Sequence, residues 1–302
     1  MNILSAIKAR LVIIIPYIWL LFFFLLPFLL VLKIALSDLE YGQPPYTPQL
    51  SLSDGWSTFW DKVSMFDLEN FTFLIGDSLY IKSYLSSLQI AFVSTLFTLM
   101  IGFPLAYGMA RAPDRMRPTL LMLVILPFWT SFLIRVYAWI GILKQEGLLN
   151  QFLLWLGVID TPLEILSTNT AVYIGIVYSY LPFMVLPIFS ALEKMDESLV
   201  EAARDLGCTR IGAFWKVTAR LAVPGILAGC LLVFIPAMGE FVIPDLLGGS
   251  GTLMIGKTLW IEFFNNSDWT VASAIAIILL IVLVVPIVLF QNAQAKAAEA
   301  GK

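Results

Sequence analysis

The sequence predicts an all-α membrane protein with six transmembrane helices. Hydrophobic residues make up 60% of the 302 residues, charged residues make up 13%, and the mean hydropathy is +0.90. A soluble core of this size could not bury that much apolar surface. The apolar residues also form long runs, and a helix needs about 20 residues to cross the bilayer core. These observations place the chain in a membrane as a set of helices.

The predicted spans follow runs with few or no charged residues. They cover about residues 11–35, 83–110, 118–142, 165–192, 221–243 and 269–292. A shorter apolar run, 147–159, is too brief to cross a bilayer, so it is predicted to be an interfacial or re-entrant helix. The first run is too long for the core of a signal peptide and has no small-residue cleavage motif, so we expect it to remain as the first span.

The placement of Lys and Arg predicts that both termini are cytoplasmic, because cytoplasmic loops carry an excess of these residues. The inner side then carries Lys8, Arg10, Arg111, Arg115, Arg117, Lys194, Arg204, Arg210, Lys216, Arg220, Lys296 and Lys302. The outer side keeps Lys33, Lys62, Lys82, Lys144 and Lys257. This orientation makes 1–10 and 296–302 cytoplasmic termini, 37–82 an outer loop and 193–222 a cytoplasmic loop.

The residue types present exclude several catalytic chemistries. The chain has no histidine, and its two cysteines are Cys208 in the predicted cytoplasmic loop and Cys230 in the fifth span. Histidine-based triads and Cys/His zinc sites are therefore excluded, and no Gly-x-Ser-x-Gly nucleophile motif is found. We expect neither a catalytic residue nor a metal site in this chain.

One segment matches a nucleotide-binding motif in its letters but not in its context. Residues 251–258 read GTLMIGKT, which fits G-x-x-x-x-G-K-[ST]. That motif needs a preceding buried strand and a cytosolic α/β domain, and the predicted topology puts the segment on the outer face. We expect a glycine-rich turn followed by a short helix, and no ATP bound by this chain.

Charged residues in or beside the spans are candidates for a substrate pathway, because each costs about 2.5–3.5 kcal/mol near the bilayer centre. Arg135 interrupts the third span and Glu240 ends the fifth. In one interpretation, Arg135 reaches lipid headgroups or forms a structural pair with Glu240. In the other, Glu240, together with Asp245 and Glu262, offers negative charge to a cation that arrives from outside.

Aromatic residues fit an organic cation, because a ring face attracts an ammonium group by about 0.5 to 2 kcal/mol. Those in or beside the spans are Trp129, Tyr137, Trp139, Tyr178, Tyr180, Trp260 and Trp269. The candidates for the pathway are Trp129, Tyr137, Trp139, Tyr178 and Trp260. The alternative is an interfacial belt of Trp and Tyr, which is common in membrane proteins.

The polar loop between the fourth and fifth spans predicts a short amphipathic helix. Its apolar stripe, at spacings i, i+3, i+4 and i+7, consists of Leu199, Ala202, Ala203 and Leu206. Gly207 is predicted to cap this helix, and a second helix is expected from near Arg210 to about Ala222. The result is an elbow. A hairpin that only links two spans is the alternative, whereas small residues beside a capped turn favour docking in a groove of another protein.

At these residues the sequence resembles the membrane subunits of ABC importers. Their signature is Glu-Ala-Ala, three residues, Gly, nine residues, a hydrophobic residue, any residue and Leu-Pro. Glu201, Ala202, Ala203 and Gly207 match it, and Val217 fills the hydrophobic position. Ala219 and Arg220 stand where Leu and Pro are usual.

The resemblance implies the type I importer permease fold, in which this elbow is the coupling helix that docks on an ATPase subunit. The coupling residues would be Leu199, Glu201, Ala202, Ala203, Leu206 and Gly207.

Over essentially the whole chain the sequence resembles the spermidine/putrescine permeases, most closely the putrescine type. Segments that carry the resemblance are 125–139, 234–244 and 263–269. It implies one permease subunit of an ATP-driven polyamine importer in a bacterial inner membrane. The implied partners are a homodimeric ATPase that binds ATP and Mg²⁺, a second homologous permease, a periplasmic polyamine-binding protein and membrane lipid, with no nucleic acid. This chain itself would bind no cofactor.

Other functional classes fit less well. An ion-coupled secondary transporter typically shows inverted repeats and several intramembrane ionisable groups, and no convincing repeat is found. A membrane-embedded enzyme needs a polar catalytic cluster at one membrane face. Within the ABC class, an importer for another small solute, such as iron or an oxyanion, is the alternative; an anion would call for basic pathway residues beyond Arg135.

Overall fold

The computed structural model describes residues 12, 14–51 and 55–300, so the predicted terminal segment 1–10 and residues 301–302 lie outside it. The described chain is mostly helical, and its strands are Asp38–Leu39 (β1) and Tyr46–Thr47 (β2), which pair antiparallel. It divides into two compact units. The central unit is 82–257, and the terminal unit comprises the described parts of 1–81 and 258–302.

In chain order, the helices begin in the terminal unit, continue through the central unit and return to the terminal unit after residue 257. They are α1 Ile14–Ala35, α2 Trp56–Val63, α3 Glu69–Gly76, α4 Ser78–Ala110, α5 Arg117–Trp129, α6 Phe132–Leu143, α7 Leu148–Trp155, α8 Asn169–Glu193, α9 Ser198–Asp205, α10 Arg210–Met238, α11 Val242–Leu246, α12 Ile255–Trp260 and α13 Trp269–Ala300. Wider π-helical turns occur at Leu21–Leu25 in α1, at Phe214–Thr218 in α10 and at Ile261–Asn265 directly after α12.

Four helices of the described chain, α1, α4, α8 and α10, are long and apolar enough to cross a membrane. The segments Arg117–Trp129 and Phe132–Trp155 make a fifth if this bent pair is one span. The described apolar part of α13, Trp269–Val284, is shorter than a full span. The count of six spans therefore stays a prediction.

The third predicted span, 118–142, is not a continuous helix. Its two halves meet at a bend of 90° between Trp129 and Phe132. The Thr130 hydroxyl and N–H both donate to the carbonyl of Pro127, at 2.7 and 3.3 Å, which ends α5. Thr130 and Ser131 then have extended backbone, with ψ of 151° and 135°. Thr130 and Ser131 therefore explain the break. It was not predicted, because the residues around them form a long apolar run.

Further boundaries differ from the predicted ones, and α4 begins at Ser78 and not at 83. The expected second elbow helix does not end near Ala222, because α10 continues from Arg210 to Met238 and includes most of the fifth predicted span, 221–243. Ala219 and Arg220 both favour a helix and allow this continuation. The helix α8 begins at Asn169, later than the predicted 165, because Ser167 has a positive φ of 64°.

The core of the central unit lies where α4, α8 and α10 meet. Its buried residues are Ala106, Met109, Ala110, Met184, Val185, Ile188, Phe189, Leu192, Ala222 and Val233. Gly225 and Gly229, one turn apart on α10, allow the backbones of α8 and α10 to approach closely. A Cβ on Gly225 would lie 2.7 Å from the carbonyl oxygen of Pro187, and one on Gly229 would lie 2.8 Å from Met184 Sδ.

In the terminal unit, the carboxyl half of α1 and the short helix α3 pack against α13. The Asn70 amide donates to the carbonyls of Ala35 at 3.0 Å and Ser37 at 2.9 Å, so it satisfies the carboxyl end of α1. The Lys33 ammonium lies 4.5 Å from the ring centre of Tyr46. The described part of the segment 37–82, predicted to be an outer loop, contains short strands and helices.

The contact at Gly225 makes a testable prediction. We expect Gly225→Ala to destabilise the protein by about 1–3 kcal/mol, because the added methyl group overpacks against backbone atoms that cannot move cheaply. The measurement is the thermal unfolding midpoint of the purified protein in detergent. Gly108→Ala in α4 is the matched control, since its Cβ would meet nothing within 4 Å. Equal midpoints for the two variants would contradict the close contact.

Candidate functional site

The helix α9 and the turn after it form the predicted elbow. Gly207 has a φ of +87°, in the left-handed region that favours glycine. The N–H of Cys208 donates to the carbonyl of Ala203 at 3.0 Å, and the N–H of Gly207 donates to that of Arg204 at 2.9 Å. These two bonds make the Schellman cap of a helix end. Thr209 then caps α10, since its hydroxyl accepts the Gly212 N–H at 3.1 Å.

The amino end of α9 is held by its own loop and by the end of α4. The Asp196 carboxylate accepts the Ser198 N–H at 2.9 Å, and this hydrogen bond lowers the pKa of Asp196 because it favours the charged form. Arg111, the residue after α4, forms an ion pair with Glu197. Its guanidinium also lies 5.6 Å from the ring centre of Tyr107.

The carboxyl side of the elbow is held by the same helix, α4. Phe214, in the π-helical turn of α10, meets Tyr107 edge-on at 5.5 Å and Phe103 edge-on at 5.8 Å. One stretch of α4 thus contacts the elbow through a charge pair on one side and through aromatic rings on the other. The elbow is fixed to the central unit at both ends.

Most of the predicted coupling residues are exposed. Leu199, Glu201, Ala202, Leu206 and Gly207 are exposed, and Ala203 is half-buried. Leu206 is 87% exposed, so the described residues leave this apolar side chain almost without contacts.

The structure adds two apolar residues that sequence reasoning missed. Ile211 and Trp215, one turn apart on α10, are 72% and 68% exposed. The sequence did contain a signal for this surface, because two apolar residues at i, i+4 spacing share a helix face and lie in a loop predicted to be in water. Together with Leu206 they extend the apolar surface of the elbow onto α10.

Glu240 lies in the turn between α10 and α11 and is 7% exposed. Its Oε1 accepts the N–H groups of Phe241, Val242 and Ile243 at 3.1, 3.0 and 3.4 Å. Its Oε2 accepts the Tyr180 hydroxyl of α8. A carboxylate at this position caps α11 and interacts favourably with the amino end of the helix. All of these donors are neutral.

A cavity of about 440 Å³ in the central unit opens beside this carboxylate. Its lining includes Phe128, Phe132, Arg135, Tyr180, Phe183 and Glu240. Among the described residues Arg135 forms no ion pair with Glu240, and its Nε and Nη1 have no hydrogen-bond partner. The structural Arg135–Glu240 pair considered from the sequence is therefore not formed.

The other two candidate acids have different surroundings. Asp245 is exposed and pairs with Lys257, with Nζ and Oδ1 3.4 Å apart, so its charge is partly balanced. Glu262 belongs to the terminal unit and is 9% exposed. Its carboxylate accepts the Tyr80 hydroxyl at 2.9 Å and the Asn266 amide at 2.7 Å. Glu240 and Glu262 are thus both buried carboxylates satisfied by neutral donors.

The predicted pathway aromatics do not line the cavity beside Glu240. Trp129, Tyr137 and Trp260 are exposed. Trp139 and Tyr178 meet edge-on at 5.3 Å beside a separate apolar groove of about 720 Å³. The rings at Glu240 belong instead to Phe128, Phe132, Tyr180 and Phe183. No helical spacing could have reported this lining, because the bend separates Phe128 from Phe132.

The segment 251–258 has the structure of a turn followed by the short helix α12. The N–H of Ile255 donates to the Ser87 hydroxyl at 2.7 Å, and a Cβ on Gly256 would lie 2.3 Å from the carbonyl oxygen of Gly239. Carbonyl oxygens at this distance leave no room for a phosphate. Within the described residues no buried strand precedes the segment, which agrees with the expected turn and short helix.

In the described part of the chain, one group of carboxylates is close enough to share an ion. Asp38, Asp67 and Glu69 have oxygens within 4.8 Å of one another. All three are exposed, and exposed acidic groups of this kind are common without an ion. We do not assign a metal site to them.

Comparison with known proteins identifies the relatives of this chain. Residues 90–298 match the family of binding-protein-dependent transport system inner membrane components. The chain is 47% identical over 230 residues to the spermidine/putrescine transport system permease protein PotB of Escherichia coli K12, which covers 76% of this chain and 83% of that protein. It is 40% identical over 276 residues to PotB of Haemophilus influenzae, which covers 91% and 90%.

A solved structure shows the same fold. A chain of a bacterial alginate ABC transporter, crystallised in complex with an alginate pentasaccharide-bound periplasmic protein, aligns with a TM-score of 0.69 at 17% identity. The alignment covers 99% of this chain and 98% of that one. The predicted ABC permease fold is confirmed, as is the expectation of a transport component in the inner membrane that is not an enzyme. The chain belongs to the family of binding-protein-dependent transport system inner membrane components.

Proposed function

We propose that this chain is the permease subunit of an ATP-driven importer for polyamines, namely putrescine or spermidine. The observation that carries the proposal is the elbow, an exposed and firmly capped helix between α8 and α10 with unpartnered apolar side chains at its tip. The names of the PotB relatives support the substrate class. The buried carboxylate of Glu240 beside a ring-lined cavity supports a cationic substrate.

The proposed mechanism connects the elbow to the cavity through two helices. ATP binding closes a homodimeric ATPase, which holds ATP and Mg²⁺, and the ATPase moves the elbow at Leu199, Glu201, Ala202, Ala203, Leu206 and Gly207. The elbow is continuous with α8 and α10, which carry Tyr180 on one helix and the turn to Glu240 after the other. Their movement opens the cavity to one side of the membrane and then to the other. ATP hydrolysis then returns the ATPase dimer and the two helices to their starting positions.

The proposed assembly has three further components and a defined orientation. A second, homologous permease completes the pathway, a periplasmic polyamine-binding protein delivers the substrate, and membrane lipid surrounds the spans. Both termini and the elbow face the cytoplasm. This orientation brings the elbow to the side where ATP is present.

Uptake by the assembled system tests the proposal directly. The chain is reconstituted with its natural partner subunits in proteoliposomes that supply ATP to the ATPase side, and uptake of labelled putrescine and spermidine is measured. We expect ATP-dependent uptake of at least one of them. Uptake of neither, together with uptake of another small solute, would assign the chain to a different importer of the same class.

The backbone conformation of Gly207 predicts how the elbow can be disabled. In Gly207→Val, the left-handed conformation costs about 1–2 kcal/mol or more, because only glycine adopts it without strain. Open space surrounds the position, so the change strains the turn without a clash. We expect uptake to fall by about tenfold or more while ATP hydrolysis continues, both measured on the same proteoliposomes.

Gly207→Asn is the control for this variant, because asparagine tolerates the left-handed region better than other residues. We expect it to retain most of the uptake. Unchanged uptake in Gly207→Val would contradict the coupling role of the elbow.

The ion pair between Arg111 and Glu197 predicts a reciprocal rescue. An exposed pair contributes only about 0–1 kcal/mol to stability, so Arg111→Glu should leave folding intact while it releases one end of the elbow. We expect Arg111→Glu and Glu197→Arg each to lower the ratio of uptake to hydrolysis by roughly threefold to tenfold, and the double variant to restore most of it.

Asp114→Asn is the control for the rescue, since Asp114 pairs with Arg117 and not with the elbow. It should leave the ratio unchanged. Single variants that couple normally would rule out a role for the pair.

The acids near the cavity predict an ordered loss of uptake. We expect Glu240→Gln to reduce putrescine uptake by about tenfold, because a buried charge at the cavity is removed. Asp245→Asn should reduce it by less, since Asp245 is exposed and balanced by Lys257. Initial rates over a range of putrescine concentrations give both values. Wild-type rates in both variants would contradict an acidic pathway.

A further inference from the structure

The bend between α5 and α6 places an arginine against two aromatic rings in the cavity beside Glu240. The guanidinium carbon of Arg135 lies 5.2 Å from the ring centre of Phe128 and 5.7 Å from that of Phe132. Both distances are within the roughly 6 Å at which a ring face attracts a cation. Arg135 is therefore a cation bound by aromatic residues of its own chain.

Two of the three nitrogens of this half-buried guanidinium have lost solvent without gaining an acceptor. Its Nε and Nη1 atoms are buried, and neither has a hydrogen-bond partner among the described residues. A buried charged donor without an acceptor is costly, and ring faces offset only part of that cost. Arg135 is consequently held less firmly than a paired buried arginine would be.

The remaining groups of the cavity suit a cation. Within the part of the chain that the structure describes, Glu240 receives hydrogen bonds from the Tyr180 hydroxyl and from backbone N–H groups, and no cationic side chain bonds to it. Phe183 meets Phe128 edge-on at 5.1 Å and extends the aromatic wall. The cavity volume of about 440 Å³ is more than ten times the roughly 30 Å³ that one water molecule occupies. An alkylammonium group has room beside both the carboxylate and the rings.

We propose that this cavity binds an alkylammonium group and that Arg135 is a tethered cation that competes for its ring faces. The inference rests on the proposed function for the identity of the natural ligand, whereas the chemistry of the cavity requires only a positively charged amine. With Arg135 and Glu240 the formal charges in the cavity cancel, and an entering ammonium leaves an excess positive charge unless Arg135 moves away. Arg135 thereby lowers the affinity of the site and favours release of a transported cation.

Binding of n-butylammonium to the complete transporter tests this role. The complex with its partner subunits is held in lipid nanodiscs, and its thermal unfolding midpoint is followed as n-butylammonium chloride is added, with sodium chloride at equal ionic strength as reference. We expect Arg135→Met and Arg135→Gln to lower the half-saturating concentration by about tenfold, since the competing cation is gone. Arg135→Lys, which keeps a charge, should stay within about threefold of the wild type.

A second substitution tests the contribution of the aromatic rings Phe128, Phe132 and Phe183, here called the aromatic cage. Phe128→Leu, added to Arg135→Met, removes one ring face and should abolish most of the gain in affinity. No gain in either neutral variant would overturn the proposal. A gain in Arg135→Lys as large as in Arg135→Met would also overturn it, because side-chain size and not charge would then be responsible. Retention of the full gain after Phe128→Leu would exclude the aromatic cage.

Putrescine uptake by the wild-type complex, measured in parallel, separates this inference from the proposed function. Absence of uptake together with the expected n-butylammonium pattern contradicts the polyamine assignment and supports the cage. Normal uptake without that pattern contradicts the competing role of Arg135 alone.

Discussion

The close packing of α8 against α10 is the constraint on which both candidate sites depend. Gly225 and Gly229 allow the two backbones to approach within a distance that any side chain would prevent. The same two helices carry the elbow between them, and they carry Tyr180 on one side of the cavity and Glu240 just after the other. In a membrane, helices gain little from hydrophobic burial against one another, so small residues at such a contact supply much of the association. The geometry of the elbow and that of the cavity are therefore set by one interface.

Polar groups in the central unit are satisfied by neutral donors more than by opposite charges. Glu240 is bound by a tyrosine hydroxyl and by the amino end of a short helix. Ion pairs in the described part of this unit, such as Arg111–Glu197 and Lys257–Asp245, involve exposed or half-exposed side chains. This division keeps a buried carboxylate available beside the aromatic rings, since a buried partner of opposite charge would hold it tightly.

Much of the fold could be predicted from the sequence, because apolar runs of span length report the membrane solvent directly. The elbow was also visible, since Gly207 follows an apolar stripe with helical spacing and its left-handed conformation is a local property. The break at Thr130 and Ser131 was not predicted, because two small polar residues barely interrupt an apolar run although they end α5. The lining of the cavity was missed for a different reason. Phe128, Phe132 and Phe183 meet Glu240 only through the bend and the packing of α8, and no pattern within one helix reports such contacts.

The helix α10 runs without a break through 29 residues, from the tip of the elbow to the turn before Glu240. At 1.5 Å per residue it is about 43 Å long, close to the full thickness of a bilayer with its headgroups. In the proposed mechanism a rod of this length acts as a lever, since a tilt of only about 10° about one end displaces the other end by about 7.5 Å. The wider turn at Phe214–Thr218 lies near the elbow end of α10, and its Phe214 packs against two aromatic rings of α4. This position suits a pivot. A small movement of the elbow would therefore be enough to reshape the cavity at the far end of α10.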